Sequence, residues 1–176
     1  MHPFELVVMG VAGSGKTTLA RALAERLGLP FADADDYHPP ANIAKMARGE
    51  PLDDADRAPW LARLAELLGD HAGRTGLVLA CSALKRAYRQ RLRGSHTSVT
   101  FVYLEGTFEL IGQRLSGRSG HFMTARMLRS QFDALEAPDD AIVVDVGLPT
   151  EQQVTRVVAA LKTGGRGQPP ETDRRR

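Results

Sequence analysis

Gly10-Val11-Ala12-Gly13-Ser14-Gly15-Lys16-Thr17 lies between an apolar run, Leu6 to Met9, and a segment in which Leu19, Leu23 and Leu27 recur at helical spacing. The octet fits G-x-x-x-x-G-K-[ST] at every fixed position, and strand, glycine loop and helix follow in the order that gives this pattern its meaning. That order aims a row of backbone N–H groups and a helix N-terminus at one point, where an anion is stabilised. The expected ligand is a nucleoside triphosphate. Gly10, Gly13, Ser14, Gly15 and Thr18 would cradle its phosphates, Lys16 would reach the β- and γ-phosphates, and the Thr17 hydroxyl would ligate Mg²⁺.

The remainder alternates strand-like and helix-like stretches. Strands are expected at Pro30 to Ala32, Leu77 to Cys81, Val99 to Leu104 and Ile142 to Val146. Helical faces are marked by Ile43, Met46 and Ala47, by Trp60, Leu61, Leu64, Leu67 and Leu68, and by Leu84, Tyr88 and Leu92. Further faces carry Phe108, Ile111 and Leu115, then Met127, Leu128, Phe132 and Leu135, and finally Val154, Val157, Val158 and Leu161, the last behind a capping box of Thr150 and Gln153. Five strands with interleaved helices predict an α/β domain: a parallel sheet covered on both faces, with its ligands at the carboxyl ends of the strands.

A chain of 176 residues suits one domain, here 1–163. From Gly164 onward Gly, Pro and charge dominate without periodicity, which predicts a disordered tail. Four arginines against two acids in that tail account for the whole formal charge of +2, so the domain is near neutral. No basic stripe suggests a nucleic-acid partner, and no apolar run has the length of a membrane span. One cysteine, Cys81, excludes an internal disulfide, and an apolar strand should leave it buried and inert. The first strand starts too early for a cleavable leader, so the cytoplasm is the expected location.

The third strand ends without the aspartate usual in hydrolytic ATPases, and no guanine-reading Asn-Lys-x-Asp is present. Acidity follows the second strand instead, as Asp33-Ala34-Asp35-Asp36. Two carboxylates two apart can divide the work: one can support the Mg²⁺ water shell, while the other reaches an acceptor hydroxyl. Downstream, His38, Asn42, Lys45, Arg48 and Arg57 offer the directional donors that a hydroxyl-rich substrate needs, while Asp53 and Asp54 read as helix caps. Lys85 and Arg89, four apart, share a helical face suited either to a substrate carboxylate or to solvent. Arg118 and His121, among glycines between two helices, are expected to form a lid over about 117–124, with Arg118 meeting charge on the transferred phosphoryl group and His121 touching the substrate or anchoring the lid. Arg114 reads as a helix-end residue.

These residues resemble gluconate kinase, in the shikimate-kinase-like branch of nucleoside-monophosphate-kinase P-loop folds. The resemblance rests on Gly10 to Thr17, Asp33 to Asn42, Lys45 to Leu52, Asp56-Arg57-Ala58-Pro59-Trp60-Leu61, Cys81 to Lys85 with Tyr88 and Arg89, Gly120 to Met123, and Ser130-Gln131-Phe132 with Leu135, Glu136 and Pro138. It implies ATP- and Mg²⁺-dependent phosphorylation of the 6-hydroxyl of D-gluconate, and a homodimer. It also implies Asp35 at the sugar hydroxyl, Asp33 at the metal through water, and Lys85 and Arg89 near the carboxylate. Ala12 and Thr124 depart from the serine and proline common at those places. The residues alone leave open another hydroxy acid such as shikimate as acceptor, or a nucleotide-gated binding protein.

Overall fold

The computed structural model describes residues 4–94, 99–117 and 125–164. Five strands, β1 (Glu5–Met9), β2 (Phe31–Asp33), β3 (Leu77–Ala80), β4 (Val99–Glu105) and β5 (Ile142–Asp145), form one sheet in the order β2-β3-β1-β4-β5. Every pairing is parallel. Around the sheet lie α1 (Lys16–Leu27), α2 (Pro40–Ala47), α3 (Asp54–His71), α4 (Arg86–Arg93), α5 (Phe108–Ser116), α6 (Ala125–Ala134) and α7 (Thr150–Lys162), with a 3₁₀ turn at Ala34–Tyr37.

The alternation of side chains along each strand divides the core in two. Leu6 and Val8 face one way, into a cluster with Leu19 and Leu23 of α1 and Val154 and Val157 of α7. Val7 and Met9 face the other, against Trp60, Leu61, Leu64 and Leu68 of α3 and Leu92 of α4. Both faces are covered, which is why the strands read as unbroken apolar runs.

Register places the chemistry. Asp33 is level with Ala80, and Ala80 with Val8. The ends of β2, β3 and β1 therefore lie side by side, and the Gly10 N–H donates to the Ser82 carbonyl across 3.3 Å. Asp33 reaches the phosphate loop because it is the last residue of a three-residue strand.

Three local expectations change. α2 forms, but Ile43 and Met46 are 54% and 41% exposed while Asn42 is buried. Polar contacts of Asn42 and Lys45 to Asp56 orient this helix, and they outweigh burial of two apolar side chains. The capping box at Thr150 and Gln153 is absent: α7 is capped by Pro149 without a side-chain bond, and Gln153 turns inward to donate to the Asp145 carbonyl at 3.2 Å. A capping box does open α3, where the Asp53 carboxylate accepts from the Asp56 N–H and Asp56 returns the bond. Finally, Ser82 to Lys85, expected to open a helix, is not helical. Ala83 adopts a left-handed φ of 45° and α4 starts at Arg86.

Candidate active site

The phosphate loop closes over its own lysine. Gly13 and Gly15 take φ of 76° and 96°, where an L side chain is strained. A Cβ on Gly13 would also lie 2.5 Å from Cγ of Leu115 on α5. The helical ladder of α1 begins with the Leu19 N–H on the Gly15 carbonyl, so the amides of Lys16, Thr17 and Thr18 point out of the helix start. Ser14 Oγ is buried with no protein partner. Free amides, a helix N-terminus and an orphaned hydroxyl make a donor set that fits phosphate.

Lys16 lies across this cradle with Nζ 3.1 Å from the Val11 carbonyl. Burial lowers its pKa, and Asp35, Cys81 and Asp33 act in the opposite sense. Thr17 Oγ1 donates to Asp33 Oδ2 at 2.9 Å, so the two groups expected on the metal side are already in contact. The other Asp33 oxygen accepts the Asp35 N–H at 3.1 Å and caps the 3₁₀ turn. One carboxylate thus ties α1 to the turn that presents Asp35. Among the described residues no group of three or more His, Cys, Asp or Glu is arranged to hold a metal. Thr17, with Asp33 behind it, could hold Mg²⁺.

Asp35 lies beside the loop with its side chain 89% exposed. Loss of hydration in the cleft, and then Asp33 beside it, raise its pKa; Lys16 and His38 pull the other way. The turn beneath it is held from α3: Trp60 Nε1 donates to the Ala34 carbonyl at 2.7 Å, and the indole stacks on His38 with centroids 4.4 Å apart. His38, expected as a substrate ligand, has a side chain only 6% exposed.

The other expected substrate ligands are engaged with protein partners. Lys45 Nζ pairs with Asp56 at 2.5 Å, Arg48 with Glu50 at 2.8 Å, and Arg57 donates to the Leu52 carbonyl. Lys85 and Arg89 line one open cavity with Glu136 and Ala137, yet they do not act as a joint pair. Lys85 reaches Asp54 at 2.9 Å, and the Tyr88 hydroxyl donates to the same carboxylate. Arg89 turns inward to 4% exposure, and its Nη1 donates to the Ala83 and Leu84 carbonyls at 3.0 Å each. It braces the left-handed kink at Ala83 as it lines the cavity. Arg118 and His121, with the lid they were expected to form, lie outside the described residues.

Four residues take parts beyond those the sequence assigns them. Trp60 reads as core, and its N–H contact spans 26 positions. Gln131 of α6 accepts the Ala12 N–H at 2.7 Å across 119 positions, and only the quoted Ser130-Gln131-Phe132 stretch hinted at it. Asp54 reads as a cap and instead gathers Lys85 and Tyr88. Arg114 donates to the Val146 carbonyl at 2.6 Å and fixes the turn after β5.

A parallel five-stranded sheet with a phosphate loop after its central strand, and a carboxylate beside that loop, defines a P-loop kinase. Consistent with this, the family model described as shikimate kinase matches residues 12–162. The chain is 51% identical over 142 residues to a gluconokinase of Gluconobacter oxydans, covering 80% of this chain and 79% of that one. It is 43% identical over 164 residues to the thermoresistant gluconokinase of Escherichia coli, covering 90% and 93%. A crystal structure of a gluconokinase from Sinorhizobium meliloti superposes with a TM-score of 0.84 at 43% identity, over 92% of this chain and 93% of that one. The chain belongs to the gluconokinase family.

Proposed function

We propose that this chain transfers the γ-phosphoryl group of ATP to the 6-hydroxyl of D-gluconate, giving 6-phosphogluconate and ADP. The observation that supports it best is the convergence of Lys16, the Thr17–Asp33 pair and Asp35 on one loop mouth, in a member of the gluconokinase family. Asp35 orients the hydroxyl and takes its proton as the oxygen attacks the γ-phosphorus in line; the bond to the β–γ bridging oxygen breaks and ADP leaves. Lys16 and the first-turn amides of α1 neutralise the charge on the phosphates without reorganising. Thr17, backed by Asp33, would hold Mg²⁺, which supplies further charge neutralisation when bound. Arg118 would add a cation from the lid, with His121 nearby. Lys85 would take the gluconate carboxylate by exchanging its bond to Asp54, and Arg89 would shape that pocket from below. Lys45, Arg48 and Arg57 stand ready for the sugar hydroxyls once their present partners yield.

The same reading takes a homodimer, as the family resemblance implies, working in the cytoplasm, in keeping with a single buried thiol. Among the described residues no helix is long and apolar enough to cross a membrane.

The test is ADP release with MgATP, with and without D-gluconate, beside shikimate, gluconate epimers and nucleoside monophosphates. Selective stimulation by gluconate is expected. Preference for another acceptor overturns the substrate, and indifference to every acceptor overturns the transfer reaction. Light scattering on the same preparation reads the dimer.

A further inference from the structure

Asn42 is a buried polar residue in the first turn of α2, 4% exposed, and its contacts fix more than the helix. Its Nδ2 lies 2.9 Å from the Asp56 carbonyl oxygen. A carbonyl can only accept, so the amide is oriented with its nitrogen toward Asp56 and its rotation is decided by chemistry. The same nitrogen is 3.3 Å from His38 Nδ1. Nδ2 has only hydrogens to offer, so Nδ1 must present a lone pair, and the proton of the neutral imidazole is on Nε2. Nε2 faces Asp35, 4.0 Å from Oδ1. That separation exceeds a direct hydrogen bond, but it lies within one side-chain adjustment of the exposed carboxylate, and contacts of this kind tighten when substrate binds.

The ring has little freedom to do otherwise. Trp60 stacks on it with the planes 12° apart, and the same indole holds the Ala34 carbonyl in the turn that presents Asp35. Loss of hydration keeps the imidazole pKa below its ordinary value; Asp35 opposes this and Arg57 reinforces it. The neutral ring is therefore the form present near pH 7.

We infer that Asn42 and His38 are positioning residues: Asn42 locks His38 as the Nε2–H tautomer, and when substrate binds that N–H closes on the Asp35 carboxylate and sets it in the orientation that receives the acceptor hydroxyl. The proton on Nε2 stays there; Asp35 alone takes the proton of the hydroxyl. Nothing in the sequence pattern distinguishes this role from that of a substrate-touching histidine. The difference lies in which way the imidazole is turned and in what fixes its proton.

The inference rests on Asp35 as the group that meets the hydroxyl, and the experiment separates the two. Long-range ¹H–¹⁵N correlation spectra of the full ¹⁵N-labelled chain read the tautomer directly, with the His38 signals assigned by their loss in His38→Gln. A protonated Nε2 with a bare Nδ1 is expected. Protonation on Nδ1, or a mixture of tautomers, overturns the inference without any activity measurement. In kinetics, His38→Ala should lower kcat by up to about 10²-fold, the scale for misplacing a reacting group by an ångström, with KM for ATP unchanged. His38→Gln, whose side-chain amide can present an N–H near the Nε2 position, should recover part of that loss. Asn42→Ala, which removes the donor to Nδ1, should release the ring to a mixture of tautomers and lower kcat. Full kcat in His38→Ala, beside a strong loss in Asp35→Asn, refutes the positioning role alone. Full kcat in Asp35→Asn refutes the underlying reading of Asp35.

Discussion

Replacing Trp60 with Phe isolates one hydrogen bond that joins folding to chemistry. Trp60 is 4% exposed, and its N–H is the partner of an Ala34 carbonyl in a residue that is itself 1% exposed. Phe retains a ring to lie against His38 but has no donor. A buried carbonyl left without a partner costs about 1–3 kcal/mol. The lost ring atoms add about 1 kcal/mol, for a total of about 2–4 kcal/mol. For a domain of this size each kcal/mol lowers Tm by roughly 2–4 °C, so a fall of roughly 5–15 °C is expected. Urea unfolding should show a lower midpoint with unchanged slope. Circular dichroism is the suitable probe, since Trp60 is the single tryptophan and its fluorescence goes with it. Because the Ala34–Tyr37 turn presents Asp35, kcat should fall as well, while KM for ATP, set by a loop on another strand, should hold. A stability change within about 0.5 kcal/mol, the range of ordinary surface substitutions, together with normal kcat would refute the reasoning. Water would then satisfy the Ala34 carbonyl, and the turn would not need α3.

Lys85 and Arg89 should separate cleanly in the same assays. Lys85→Ala, which loses only a solvent-screened surface pair, should raise KM for gluconate with Tm nearly unchanged. Arg89→Met should lower Tm, because the Ala83 and Leu84 carbonyls lose their donor at about 1–3 kcal/mol for each buried group; a change in KM alone would restore Arg89 as a simple carboxylate ligand. Gln131→Glu keeps an acceptor for the Ala12 N–H but sets a negative charge beside the phosphate loop, so KM for ATP should rise roughly tenfold at unchanged Tm. An unchanged KM would place the Gln131 side chain off the nucleotide's path. Cys81 is pushed up to about 12 by burial, against an ordinary value of 9.0. Above pH 9 the unfolded chain releases this proton and the folded chain keeps it, so stability should drop between pH 9 and about 12, and Cys81→Ala should flatten that drop in a series of Tm measurements.

The sheet, the phosphate loop and the Asp33–Asp35 pair were legible because each rests on local rules: strand runs, glycine spacing, and a carboxylate at a strand end. Boundaries moved by a residue or two where neighbouring strands set the register, as when β2 came out as Phe31–Asp33 rather than Pro30 to Ala32. What the sequence hid depends on partners far along the chain. Ile43 and Met46 carry the apolar signal of α2, yet the buried face is that of Asn42, because a backbone carbonyl on α3 was there to receive it. Arg89 shares a helical face with Lys85 by count, but two carbonyls exposed by the Ala83 kink turn it inward, and nothing in the pattern announces a left-handed alanine. Lys85 stays half-exposed and pairs with Asp54, which reads from sequence only as a cap.

Among the described residues, the groups given a chemical part follow the carboxyl ends of β1, β2 and β3, away from the opposite rim. There β1 begins, with the Glu5 carboxylate on the Gly73 N–H at 3.2 Å, and there α7 ends, since a helix covering a parallel sheet runs back against its strands. The start of β1 and the end of α7 thus both fall on the rim turned away from the phosphate loop. A surface tether or a fluorescent label fixed at that rim leaves the working edge open to solution.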